Sequence, residues 1–325
     1  TYYIAKRALG EPIPGQALSI RENAQRFNSI VFYVVLAVTM ICVILYDTVL
    51  RPTLARYDAL EYVSAGNSTL IIAHRGYSKD SDENTLSAFQ AASELGVDYI
   101  ELDVQQTADG VVIVNHDNSF LRVFGDRRKV WETTYDEVRG LASLRSSECP
   151  PTLYEVLTLC DPQANLLIEL KNNGHNPNLP QAVYAILEEY QCLDRCVIQS
   201  ASYRMLREFK ELAPDMRCGY ILSFALGEYA SLRAADFFSI DSDFVSASVL
   251  STVHRSGKDL YAWTINDDRH MRQMLSLGVD GIITDDVPLA KTTLLSIGVS
   301  PLEELIAEPL EEALTAQTEP TPEPE

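Results

Sequence analysis

Between Leu70 and Gly298 the spacing of apolar residues switches back and forth between two periods. Eight short runs rich in β-branched and aromatic residues read as strands. They are LIIAH from Leu70, YIELDV from Tyr99, LLIELK from Leu166 and CVIQS from Cys196, then RCGYIL from Arg217, FFSID from Phe237, LYAWTI from Leu260 and GIITD from Gly281. Between most of them apolar positions recur three or four apart. In NTLSAFQAASEL, for example, Leu86, Phe89, Ala92 and Leu95 fall on one helical face. Near-continuous apolar strands alternating with amphipathic helices predict a parallel sheet covered by helices. Eight such units predict a closed α/β fold, the (β/α)8 TIM barrel. One run breaks the rhythm: VVIVNHD follows YIELDV directly after the turn Ala108-Asp109-Gly110. That is too close for a crossover helix, so it is expected to pair antiparallel as an added hairpin strand.

Two other patterns flank the barrel region of residues 70–298. Residues 27–46, FNSIVFYVVLAVTMICVILY, contain no charged side chain. About twenty helical residues rise ~30 Å, the thickness of a bilayer core, so one transmembrane helix is expected here. Phe32, Tyr33 and Tyr46 lie where interfacial rings sit, and Arg26 and Arg51 bracket the run. A cleaved signal peptide fits poorly, because the run is long and no small-x-small site follows it. Lys6, Arg7, Arg21 and Arg26 precede the span, against Arg51 and Arg56 after it. The positive-inside rule then expects a cytoplasmic segment 1–26, a linker 47–69 and an extracytoplasmic catalytic domain. The chain starts at Thr, which leaves earlier spans open. Residues 299–325 alternate Leu/Ala with Glu and end in TEPTPEPE, the composition of a solvated, disordered tail.

Charge changes the picture in one respect. Forty-six acidic against 26 basic side chains give a net charge of −20, which argues against nucleic acid as a partner. Eight Glu of that excess lie in the tail, within residues 303–325. The six cysteines contain no CxxC, so a thiolate metal or redox site is not expected. Cys192 and Cys196 are close enough in sequence to bridge in an oxidising compartment, but buried free thiols are the default. His175, His254 and His270 read as structural or exposed, and Asn67-Ser68-Thr69 is a formal glycosylation acceptor.

Candidate chemistry collects where strands end, which is where barrel enzymes place it. The first strand ends in His74-Arg75-Gly76; the second carries Glu101 and Asp103, two apart and hence on one face. The hairpin strand ends in His116-Asp117, the next parallel strand carries Glu169 and Lys171, and the seventh runs into Trp263-Thr264-Ile265-Asn266. Taken singly, each has an ordinary reading, as a hydrogen-bonded histidine or a surface ion pair. Taken together they do not, because so many ionisable groups are costly to bury unless they share a partner. Three carboxylates from two strands suit a hard divalent cation, Mg²⁺ or Ca²⁺, rather than zinc. Arg75 and Lys171 would hold a phosphate, and two histidines form an acid/base pair. The combination points to phosphodiester cleavage.

In order along the chain, HRG at 74–76, ENT at 83–85, ELD at 101–103, HD at 116–117, IELK at 168–171, WTIN at 263–266 and GIITDDVP at 281–288 resemble the glycerophosphodiester phosphodiesterase family, within the phospholipase-C-like phosphodiesterase superfamily. The resemblance covers nearly all of residues 70–298. It implies a barrel that hydrolyses glycerophosphodiesters to glycerol 3-phosphate and an alcohol with a divalent metal. His74 and His116 would be the acid/base pair. Glu101, Asp103 and Glu169 would bind metal, and Arg75 and Lys171 the phosphate. Glu83 would lie at the site mouth and residues 118–150 would be the insertion shaping the entrance. Trp263 would either stack on glycerol or serve as a buried aromatic. One departure stands out: Gln199-Ser200 is followed by Ala201, where the family usually has an aromatic. This bears on pocket shape rather than chemistry. Intact phospholipid or a polymer such as teichoic acid is the rival substrate, and a catalytically silent binding barrel the rival class. Head group, choice of metal, the roles of the two histidines, a cyclic phosphate intermediate and oligomeric state stay open at this level.

Overall fold

The computed structural model describes residues 31–46, 69–160, 164–176, 178–223 and 229–297. The chain divides into two units, Thr1–Tyr57 and Asp58–Glu325. In the first, residues 31–46 are helical with exposed side chains. Among the described residues no helix is long and apolar enough to cross a membrane. Positions 27–30 of the expected span lie outside the described residues, as do segment 1–26, the linker as far as Ser68 with its Asn67 acceptor, and the tail 299–325.

The second unit holds the barrel. Its parallel strands are β1 (Leu70–Ala73), β2 (Tyr99–Gln106), β4 (Leu166–Leu170), β5 (Cys196–Ser200), β6 (Cys218–Leu222), β7 (Phe237–Asp241), β8 (Asp259–Trp263) and β9 (Gly281–Thr284). Pairing runs β1-β9-β8-β7-β6-β5-β4-β2, and β1 also pairs with β2, which closes the ring. All eight expected strands form at the expected places. The hairpin strand β3 (Val112–Val114) pairs antiparallel with β2, with Val104 opposite Val114.

Helices fill most of the crossovers: α1 (Leu86–Glu94), α4 (Leu153–Leu159), α5 (Leu179–Glu189), α6 (Tyr203–Leu212), α7 (Ala247–Arg255), α8 (Asp268–Leu277) and a last helix over 287–297. Between β6 and β7, by contrast, the described residues hold a short 3₁₀ turn, Tyr229–Ser231. Several of the helix starts are capped by side chains. Thr85 accepts from the Ala88 amide, Thr152 and Glu155 form a capping box, and Asp267 accepts from His270 N. The insertion between β3 and α4 contains two four-residue helices, α2 (Leu121–Phe124) and α3 (Tyr135–Val138). These pack Phe120, Phe124, Val130 and Val138 into a small cluster of their own around Ile113.

The strand period of two sorts the side chains into two cores. One face of each strand packs against the helices in the main cluster, with Ile100, Leu102, Ile168, Ile198, Phe238 and Ile282 fully buried. The other face points into the barrel, where Ile72, Leu167, Val197, Phe237, Tyr261 and Ile283 form an apolar plug. Gly219 makes room for it: a Cβ there would lie 2.0 Å from the Phe237 ring. Two residues further along the same inward faces come Glu101, Glu169, Gln199, Ser239 and Trp263. The apolar floor thus gives way to a polar layer at the strand ends.

Candidate active site

Strand register brings the carboxylates together. Asp103 is level with Glu169, and Glu169 with Gln199, across three neighbouring strands. Ligand-type oxygens of Glu101, Asp103 and Glu169 all lie within 4.8 Å of one another. Glu101 and Asp103 are almost fully buried, at 2% and 1% exposure. Asp103 Oδ2 accepts a hydrogen bond from Asn84 Nδ2 at 2.9 Å, whereas its buried Oδ1 accepts none and has Lys171 Nζ at 3.4 Å. Three hard oxygen donors on one side, one of them with an unused buried oxygen, fit a divalent cation.

The charges in this layer pull against each other. Burial and the neighbouring Asp103 and Glu169 push the Glu101 carboxyl well above its usual range. Burial and Asp103 likewise push Glu169 up to about 7, despite the attraction of Lys171. Burial also works against ionised Asp103, but Lys171, Arg75 and His116 outweigh it and keep it below the ordinary range. Lys171 is the counterpart: burial disfavours its charge, and the Asp103 and Glu169 carboxylates more than restore it. Its Nζ sits 2.8 Å from Glu169 Oε1. A bound divalent cation would offset the mutual repulsion of these carboxylates.

The HRG and ENT motifs build one wall. Arg75 adopts φ +56, and its amide donates to Glu101 Oε2 at 2.9 Å. Gly76 follows at φ +80, with Ala88 so close that a Cβ would lie 2.7 Å from its backbone, so only glycine fits. Arg75 Nη1 donates to Glu83 Oε1 at 2.7 Å, while Nε, 3.4 Å from Asp103, makes no hydrogen bond. In ENT, then, Glu83 holds Arg75, Asn84 holds Asp103 and Thr85 caps α1.

Both expected histidines are held through Nδ1 by a carboxylate. His74 Nδ1 is 2.7 Å from Asp285 Oδ1, and His116 Nδ1 is 2.7 Å from Asp117 Oδ1. With Nδ1 engaged in this way, Nε2 is the nitrogen left for proton exchange. Asp285 also accepts from Ser78 and from Asn266 Nδ2. Burial opposes its charge, but hydrogen bonds from His74, Ser78 and Asn266 bring it down to about 2. Burial lowers the pKa of His116; Asp103 resists this, and the Lys171 and Arg75 charges reinforce it.

These groups surround one cavity of about 220 Å³, lined by His74, Arg75, Glu101, His116, Glu169, Lys171 and Trp263 among the residues singled out from sequence. Asp103 lies beneath the lining and Glu83 behind Arg75. The indole Nε1 of Trp263 is buried without a hydrogen-bond partner, which marks it as a donor. Ala201, Ile221, Ser223 and Ile283 complete a less polar side. Sequence reasoning left Asp117, Asp285, Asn84 and Gln199 without roles. Gln199 is fixed by Ser239, which donates to its Oε1 at 2.7 Å, and its amide faces Glu101 at 3.4 Å. All four lie inside or beside motifs quoted above, but their partners are distant in sequence. The three other histidines stay outside the cavity lining: His175 stacks on Trp131, His254 pairs with Asp280, and His270 is half-buried. Among the cysteines, Cys160, Cys192, Cys196 and Cys218 are buried.

Comparison with known proteins agrees with this geometry. Residues 74–289 match the model of the glycerophosphoryl diester phosphodiesterase family. A glycerophosphodiester phosphodiesterase of Caldanaerobacter subterraneus subsp. tengcongensis is 35% identical over 230 residues, 67% of this chain and 94% of its own. Among solved structures, a putative glycerophosphoryl diester phosphodiesterase from Silicibacter pomeroyi superposes with a TM-score of 0.67 at 26% identity, covering 71% of this chain and 95% of the other. An Oleispira antarctica phosphodiesterase, solved with the product sn-glycerol-3-phosphate, shares the fold at 24% identity and a TM-score of 0.66, covering 71% and 98%.

Proposed function

The chain belongs to the glycerophosphoryl diester phosphodiesterase family, and from that premise we propose that it hydrolyses glycerophosphodiesters to glycerol 3-phosphate and an alcohol. The observation that carries the reading is the convergence, around one cavity, of two carboxylate-held histidines, two cations and a carboxylate triad. Glu101, Asp103 and Glu169 would hold Mg²⁺ or Ca²⁺, which when bound supplies Lewis-acid polarisation of the phosphoryl oxygens. Arg75 and Lys171 neutralise the phosphate and orient it. One histidine takes the proton of the attacking hydroxyl, water's or the substrate's own, as its oxygen bonds to phosphorus; in the second case the product is a cyclic phosphate, which water then opens to glycerol 3-phosphate with the two histidines exchanging roles. As the phosphorus–oxygen bond to the alcohol breaks, the other histidine gives that oxygen a proton. Asp285 and Asp117 hold the two rings in the tautomer this exchange needs. Trp263 offers its Nε1–H and ring face to the glycerol end.

The test is release of glycerol 3-phosphate from glycerophosphocholine by the chelated protein, before and after adding Mg²⁺ or Ca²⁺. Metal-restored turnover is expected; its absence with both ions would overturn the reading. Ala201 in the lining favours a second arm of the same assay, because a methyl where the family usually has an aromatic leaves room for a bulkier leaving group. Turnover of intact phospholipid or a glycerophosphate polymer in preference to glycerophosphocholine would move the assignment there. Residues 27–46 anchor the protein in a membrane in this proposal, with the barrel on the extracytoplasmic side. The support is the charge-free run and the excess of basic residues before it. Protease digestion of intact cells should remove the barrel; protection would reverse the orientation.

A further inference from the structure

At the rim of the cavity one guanidinium joins two parts of the site. Arg122, in α2 of the insertion, donates from Nε to Asp117 Oδ2 at 2.7 Å. From Nη2 it donates to Glu83 Oε1 at 2.8 Å, and from Nη1 to Glu83 Oε2. Each of these carboxylates has its other partner in the cavity lining. Asp117 Oδ1 holds His116, and Glu83 Oε1 holds Arg75. The result is a chain of contacts, His116–Asp117–Arg122–Glu83–Arg75, that crosses the mouth from the end of β3 to the end of β1.

Two physical points give this chain a role. The terminal torsion of an Asp or Glu is soft, so one bond alone leaves the carboxylate plane free to turn. A second bond from a planar fork fixes that plane, and with it the group on the far side. Nor is Arg122 needed to dock the insertion. Glu148 accepts from Ser87, the Arg145 and Ser146 amides donate to Asp82, and Trp131 stacks on His175 at 4.2 Å between centroids. Arg122 itself is not in the cavity lining. We propose that Arg122 is a positioning residue that sets His116 and Arg75 in mutual register through Asp117 and Glu83, making turnover depend on the seating of the insertion. The inference rests on the reading of His116 and Arg75 given above.

A mutant cycle on the full chain tests it, with glycerophosphocholine and saturating Mg²⁺. Arg122→Gln is expected to lower kcat roughly tenfold or more, as small misplacements of catalytic groups do. It should also raise KM, through Arg75, while the thermal midpoint moves by only a few degrees. Arg122→Lys should recover little, because one ammonium cannot serve both carboxylates. In a His116→Ala background, Arg122→Gln should lower kcat by less than about twofold, since the ring it positions is gone. Unchanged kcat in Arg122→Gln overturns the inference. So does an equal fold-loss with and without His116, the mark of a general structural effect. Should the Gln variant not fold, Arg122→Lys is read in the same two backgrounds by the same criteria. A wild type without metal-dependent activity sinks the functional reading and this inference with it. A wild type that needs His116 but is indifferent to Arg122 sinks the inference alone.

Discussion

Glu169, with a pKa raised to about 7 by burial and by Asp103, is the residue where the site's chemistry becomes measurable. In the function proposed above metal and proton would compete for it, because a carboxyl must be ionised to ligate. Affinity should therefore weaken by about tenfold per unit as pH falls below ~7, steeper still where Glu101 also takes a proton. Calorimetric titration with Mg²⁺ or Ca²⁺ between pH 5.5 and 8.5 checks this, and a flat profile would contradict it. At this scale the sequence was informative about identity and silent about pairing. His74, Arg75, Glu101, His116, Glu169, Lys171 and Trp263 were visible because polar residues at inward strand ends are hard to explain otherwise. Asp285 was not, because its partner His74 is 211 positions away and nothing local records the contact. Glu83 was visible only as part of a motif; that it shares itself between Arg75 and Arg122 is a fact of three dimensions.

Among the elements, β6 and β7 show how closely the barrel interior is fitted. Gly219→Ala would place a methyl 2.0 Å from the Phe237 ring. The ring cannot yield without displacing Tyr261, whose centroid is 4.5 Å away. A loss of roughly 1–3 kcal/mol is expected, read from denaturant midpoints. A second prediction concerns α7 and β9. His254 Nε2 pairs with Asp280 at 2.8 Å, and Asp280 also accepts from the Leu260 amide. The Asp280 hydrogen bond raises the imidazole pKa against the opposing effect of burial. A raised folded-state pKa stabilises at pH values below the unfolded one, ~6.5, and the gain is lost as pH rises through the folded value. Stability relative to His254→Gln should therefore decline as pH rises above about 6.5; parallel profiles would contradict it. The eight strands and the hairpin were legible because a period of two, or a solid apolar run, is a strong signal over five residues. The insertion's α2 and α3 were not. Four residues make barely one turn, and these turns are held by the cluster around Phe120 and Phe124 rather than by their own pattern.

Over the whole molecule, the −20 charge meets an anionic substrate. The cations of the site act at close range, whereas the net charge acts at a distance and is screened by salt. Raising ionic strength from about 20 to 200 mM should increase kcat/KM for anionic glycerophosphoglycerol by roughly twofold or more, relative to zwitterionic glycerophosphocholine. Equal responses would mean that long-range repulsion is not felt at the mouth. The barrel as a class was legible from the alternation and its count, because eight strand–helix units in this length are what a closed barrel uses. The way the ring closes was not, because register is decided by contacts between the first and last strands.

That closure has a consequence in time. The seam between β1 and β9 is also where His74 meets Asp285. One acid/base ring thus emerges with the first strand of the barrel, and the carboxylate that holds it comes just after the last. During synthesis Arg75, Glu101, Asp103, Glu169 and Lys171 are all present soon after β4 is made, yet the His74–Asp285 pair cannot form until the ring is joined. Catalytic rate is therefore a more stringent gauge of finished folding than secondary-structure content. A chain stalled before Gly281 would lack Asp285, and with it the partner that holds His74.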